Sequence, residues 1–333
     1  MHILHGNMVP RVIKGATALV GTAAGGAALL GLLIVAEGLW VRERLMPLQL
    51  KDLPPLSGLF GEEHPGSPLE LAVLGDSLAV GIGAEEPDGA LGVTLAKELA
   101  AASERPVQLR NAAFSGSESK DLAAQIDRLV GSGADLEVVV IVVGGNDIMH
   151  LRRIGQAVRH LAAAVRRLRS MGCRVVVATC PDLGTVTSFV QPLRFVAHWL
   201  SLWLATAQTI VVLRAGGRTV SLADTLGPIF REKPAVMFST DLLHPSTQGY
   251  RRAAQALLPS ICAAAGYWTG KEVSVPHRIY QKDRRRPMAG LAFWAARHAG
   301  TEVAAVRRRG DSLVEAGRRR VVRPGMAHHA LPR

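Results

Sequence analysis

Five short apolar runs, each closed by glycine or small polar residues, set the rhythm of the middle of the chain. Leu69–Leu74, Val107–Asn111, Glu137–Val143, Arg174–Thr179 and Thr219–Leu222 have the length and composition of buried strands. Between them, helical patterns cover Gly89–Ala102, Lys120–Leu129, Ile154–Ser170, Phe195–Ala215 and Thr247–Ala264. Such alternation predicts an α/β domain over residues 69–266, a parallel sheet with helices on both faces. No internal repeat interrupts it.

The two ends read differently. Residues 1–14 form a weakly basic tail, and Ala16 to Ala36 then runs without a charged residue. At ~1.5 Å per residue that stretch makes a helix of about 31 Å, enough to cross a bilayer. Its glycines suit a membrane helix better than a soluble one. Residues 15–40 are therefore expected to be an uncleaved signal anchor. The competing readings are a cleaved signal peptide, for which Ala36-Glu37-Gly38 is a weak site, and a buried core helix. Residues 41–68, with prolines at 47, 54, 55, 65 and 68, read as a linker.

Composition changes the picture at one place. The chain has 333 residues, is 48% apolar and carries a formal charge of +12. From His277 to Arg333 there are 14 Lys/Arg and 4 Asp/Glu, so +10 of that charge lies in the last segment. Residues 267–333, with arginine triplets at 284–286, 307–309 and 318–320, are expected to be a disordered basic tail. Such a tail can contact anionic lipid, an envelope polymer or nucleic acid. Without interleaved aromatic residues the nucleic-acid reading has little support. The three cysteines (173, 180 and 262) lack metal-ligand spacing. Cys173 and Cys180 flank a strand and stand about 23 Å apart, beyond disulfide reach.

The strand ends carry the chemistry. The first closes on Gly75-Asp76-Ser77, which is either a turn or a serine placed where open α/β sheets hold their reactive groups. After the second comes NAAFSGS, where Gly116 can let a ligand approach a backbone N–H. The third ends in Gly144-Gly145-Asn146-Asp147. There the Asn146 amide can face a developing oxyanion or cap the next helix, and Asp147 suits the structural role. His150 reads as helix surface. Asp241-Leu242-Leu243-His244-Pro245 lets a carboxylate reach an imidazole within one loop, though His-Pro before a helix can also be only a turn.

Taken together the blocks LGDSLAVG, NAAFSGSES, VGGNDIMH and DLLHPSTQGY resemble the SGNH (GDSL) hydrolases over residues 69–265, and in their flanks the exported SGNH esterases of actinobacteria. The resemblance implies a flavodoxin-like three-layer sandwich with five parallel strands. It implies Ser77 as nucleophile, His244 as base and Asp241 as its orienter. The oxyanion site would comprise the Ser77 and Gly116 backbone N–H groups and the Asn146 side chain, with no metal or organic cofactor. Leu242 departs from the family pattern, where glycine or another small or polar residue is common. The implied activity is a serine esterase acting on short to medium acyl esters of small molecules, lipids or glycans. The alternatives are a carbohydrate O-acetylesterase or acyltransferase, and a non-catalytic envelope-binding module. The expected location is the cell membrane with the domain extracytoplasmic, or secretion after cleavage.

Overall fold

A computed structural model describes residues 56–222, 227–267 and 302–304, and the single positions 31 and 36. Except for those positions, the expected signal anchor lies outside the described residues, as do residues 1–14, 41–55 and nearly all of the basic tail. In chain order the elements are β1 (Gly58–Phe60), β2 (Leu69–Gly75), α1 (Ser77–Val80), α2 (Leu91–Ser103), β3 (Val107–Asn111), α3 (Leu122–Gly131), β4 (Val138–Val142), α4 (Gly145–Met149), α5 (Ile154–Ser170) and β5 (Arg174–Ala178). They continue with α6 (Leu193–Arg214), β6 (Arg218–Val220), α7 (Gly227–Glu232), α8 (Pro234–Met237), α9 (Thr247–Ala265) and β7 (Glu302–Ala304).

The strands lie in the order β1-β3-β2-β4-β5-β6-β7. The five from β3 to β6 are parallel, while β1 pairs antiparallel with β3 and β7 antiparallel with β6. Each predicted strand and helix is present within two residues at either end. The expected all-parallel five-stranded sheet is corrected to a mixed one: six strands up to residue 220, and Glu302–Ala304 beyond them. Gly58–Phe60 lies inside the expected linker and Glu302–Ala304 inside the expected tail. Both are three residues long and pair on one side only, too short for a period-two pattern to register.

Side-chain alternation along the strands splits the apolar interior into two layers. Leu69, Leu71 and Val73 of β2 share one layer with Val138, Val140 and Val142 of β4, under α2 and α9. Ala72, Leu74, Val139 and Ile141 point the other way, onto α3 and α5. Burying a Leu or Val side chain of this kind is worth roughly 1.5–3 kcal/mol. Among the described residues, one helix, α6, is long and apolar enough to cross a membrane by length and composition. Half of that stretch is buried, and Ala197, Leu202, Leu204 and Ala205 belong to the first layer.

Counted alone, the parallel strands run 2-1-3-4-5, the flavodoxin-like order, whose switch point falls between β2 and β4. Gly75 and Gly144 sit there. Gly75, at φ 139°, pairs with Val142 so closely that a Cβ would stand 1.8 Å from the Val142 carbonyl oxygen. Gly144, at φ 137°, leaves no room before Cys180 and Gln208. These two glycines let the chain turn out of the sheet and into α1 and α4.

Candidate active site

Ser77 follows the Gly75 turn as the first residue of α1, with Asp76 as N-cap accepting the Leu78 N–H at 3.1 Å. The serine side chain is buried at the foot of a cleft on the sheet's carboxyl edge. Its Oγ is 2.8 Å from His244 Nε2. On the far side of the ring, His244 Nδ1 is 2.6 Å from Asp241 Oδ2. Asp241 Oδ1 also accepts the backbone N–H groups of Leu243 and His244, each at 2.9 Å. Those bonds fold the four-residue segment so that carboxylate and imidazole meet. With Nδ1–H given to Asp241, the Nε2 lone pair faces the serine hydroxyl.

Burial alone would raise the Asp241 carboxyl. The His244 ring and the two backbone N–H groups outweigh it and hold the carboxyl well below the usual range. Asp241 is therefore an anion poised to stabilise an imidazolium. Asp76 is the opposite case. Complete burial, helped by the nearby Asp147 carboxylate, pushes it up to about 7 against the Leu78 and Gly144 N–H groups that lower it. Asp147 is raised by burial too, while accepting the Ser119 N–H and hydroxyl.

Asn146 enters the cleft from the start of α4. Its Nδ2 donates to the Ser117 carbonyl at 3.0 Å, which leaves the amide a second N–H. Gly116 precedes Ser117 in the left-handed region, at φ 82°. It is not among the residues lining the cleft; the expected oxyanion groups that line it are Ser77 and Asn146. The Gly116 loop is nonetheless tied down. Glu118 accepts from His150 Nδ1 at 2.7 Å and from Arg152 at 2.8 Å, with Lys120 at 3.1 Å. Burial raises the Glu118 carboxyl, but the hydrogen bonds from Arg152, Lys120 and His150 bring it down to about 2. His150, expected on helix surface, is instead one of the three groups that make this tie.

Two buried glutamines that the sequence does not single out hold the strand ends. Gln125 on α3 accepts the Gly75 N–H at 2.8 Å and donates to the Gly75 carbonyl at 2.8 Å and to Ser117 Oγ at 3.0 Å. Gln208 on α6 accepts the Cys180 N–H at 2.7 Å and donates to the Val143 carbonyl at 2.9 Å. The cleft walls are mostly apolar: Leu78, Met149, Leu183, Val186, Phe230, Phe238 and Leu243. Asp182, also in the wall, is engaged by the Gly184 N–H and by His198 Nδ1 at 2.9 Å. The arrangement can present a serine oxygen to a carbonyl carbon, move its proton and take an apolar group beside it.

Residues 73–252 match the model of the GDSL-like lipase/acylhydrolase family. A GDSL-like esterase of Mycobacterium tuberculosis is 42% identical over 189 residues, covering 57% of this chain and 60% of that relative's length. Among solved structures, a lipase from a goat rumen metagenome aligns at 18% identity and a TM-score of 0.46, over 60% of this chain and 99% of its own. An acetylxylan esterase from Geobacillus stearothermophilus aligns at 17% identity and a TM-score of 0.44, over 61% and 96% of the two chains. With the family match extending over more than half of its length, the chain belongs to the GDSL-like lipase/acylhydrolase family.

Proposed function

We propose that the protein is a serine esterase that hydrolyses acyl esters by a two-step route through an acyl-enzyme. The Ser77 hydroxyl attacks the ester carbonyl while His244 Nε2 takes its proton, and Asp241 stabilises the imidazolium. Negative charge on the tetrahedral oxygen is met by the Ser77 N–H and the Asn146 amide, which line the cleft, with the Gly116 N–H as the third donor that the family resemblance implies. His244 then protonates the leaving alcohol, and water repeats the sequence to release the acid. The observation that carries this reading is the continuous Ser77–His244–Asp241 chain, 2.8 and 2.6 Å, at the foot of an apolar cleft. That apolar lining favours the acyl side of the ester as the part bound there, with a short to medium chain.

A chain-length series of nitrophenyl esters, run with wild type and Ser77→Ala beside labelling by a serine-directed fluorophosphonate, tests the assignment. Wild type should turn over and label, and Ser77→Ala should do neither. Unchanged turnover by Ser77→Ala would overturn it. The proposal extends to a membrane tether at residues 15–40, which rests on their apolar sequence and is tested by resistance of the full chain to alkaline carbonate extraction.

A further inference from the structure

Two leucines stand in backbone conformations that L-residues avoid. Leu151 has φ 50° and Leu242 has φ 56°, and both side chains are exposed, at 75% and 44%. A bulky residue in the left-handed region is strained, and an exposed apolar side chain returns nothing to the fold in exchange. Both adjoin residues that line the cleft. Leu151 is two residues beyond Met149, and Leu242 is joined to Leu243; Met149 and Leu243 line the cleft. Two more exposed apolar residues repeat the arrangement. Val236 (49%) is two residues before the lining residue Phe238, and Val190 (59%) is four beyond the lining residue Val186. The Ser188 hydroxyl, 3.5 Å from the Leu242 carbonyl, joins the Val190 and Leu242 segments.

Four exposed apolar residues thus stand within one to four positions of residues that form the cleft wall. Stretches 149–153, 186–190 and 233–243 carry Arg152, which is paired with Glu118, and two further cations, Arg153 and Lys233. Their one carboxylate, Asp241, is engaged with His244. Apolar tips interspersed with cations match a surface with an apolar interior and anionic heads.

We infer that the rim of the cleft docks on an anionic lipid surface and that the substrate is an acyl ester presented there, its chain passing from the lipid into the cleft. This rests on the esterase reading and names its substrate class. Leu242→Gly and Leu151→Gly separate docking from chemistry, because glycine relieves the backbone strain. The assay measures turnover by the full chain of a soluble short-chain nitrophenyl ester, and of a medium-chain ester embedded in phosphatidylcholine vesicles with or without phosphatidylglycerol. The double glycine variant should unfold at a temperature no lower than wild type and keep soluble turnover within about twofold. It should lose roughly tenfold or more on phosphatidylglycerol vesicles. Arg153→Glu with Lys233→Glu should abolish the preference for phosphatidylglycerol.

Vesicle turnover insensitive to both pairs of substitutions would overturn the docking surface while leaving the esterase intact. So would an equal fall on soluble and embedded esters. Absence of turnover on every ester by wild type would overturn the esterase reading instead. Docking would then be judged alone, from vesicle co-sedimentation of Ser77→Ala with and without the leucine substitutions; equal sedimentation would overturn it.

Discussion

Asp76→Asn removes a carboxyl that the fold keeps protonated in mildly acidic solution, up to about pH 7. The group is fully buried, and its native pKa of about 7 stands above the reference value of 3.8. Between those values the unfolded chain has released a proton that the native chain keeps. Stability therefore falls as pH rises through that window, and is fully present only below about 3.8. A gap of about three units at 1.36 kcal/mol each makes the loss roughly 4 kcal/mol between pH 4 and pH 8. Asparagine keeps the Oδ1 that accepts the Leu78 N–H but cannot ionise. Relative to wild type, Asp76→Asn should be near neutral below about pH 3.8 and gain steadily above it, by about 1.4 kcal/mol per pH unit, until the curve flattens near pH 7. Urea denaturation at half-unit intervals reads this directly. The same carboxyl lines the cleft, so its ionisation puts an anion near the developing oxyanion and should depress wild-type kcat/KM above pH 7. In Asp76→Asn that alkaline fall should be shallower. A wild-type-minus-variant difference that stays flat within about 1 kcal/mol across the range would refute a protonated native Asp76.

Three further substitutions probe the frame around Ser77. Asn146→Ala should lower kcat on nitrophenyl esters by roughly 10²–10³ with little change in KM, and wild-type turnover would remove it from the oxyanion site. Gln125→Leu deletes three buried hydrogen bonds and leaves the Gly75 N–H unpaired, while the Gly75 carbonyl keeps only the Phe114 N–H at 3.4 Å; it should cost about 1–3 kcal/mol in urea denaturation for the orphaned group. Gly75→Ala places a methyl 1.8 Å from the Val142 oxygen, and soluble expression with native fluorophosphonate labelling would contradict the close approach of β2 and β4.

The sequence discloses this fold wherever a residue's type and its spacing carry the same message. The valine run of β4 can only be a buried strand, and the amphipathic period of α5 sets its inward face, so both were legible with their ends. Gly-Asp-Ser, Gly-Gly-Asn-Asp and Asp-x-x-His were legible as well, because each sits where a strand or loop opens into a helix. Gln125 and Gln208 were not. A glutamine among apolar neighbours reads as helix surface, and only the fold puts it against strand ends whose backbone groups lack sheet partners. The edge strands β1 and β7 were missed for a related reason. Their order comes from pairing with a neighbour far along the chain, and three residues hold no periodicity of their own. The exposed leucines were half visible: the sequence marked Leu242 as unusual, while the left-handed backbone that makes it costly belongs to the structure.

The His244–Asp241 contact spans three positions of the chain, and the His244–Ser77 contact spans 167. The His244–Asp241 half of the candidate site is thus indexed by one short loop, and Ser77 by the entire sheet. Damage far from the cleft can shift one half against the other but has no means of separating histidine from aspartate. Inactive variants with remote lesions should therefore share a signature: a retained downfield imidazole proton resonance alongside slow fluorophosphonate capture. In this architecture the fidelity of the sheet is read out by a single interatomic gap.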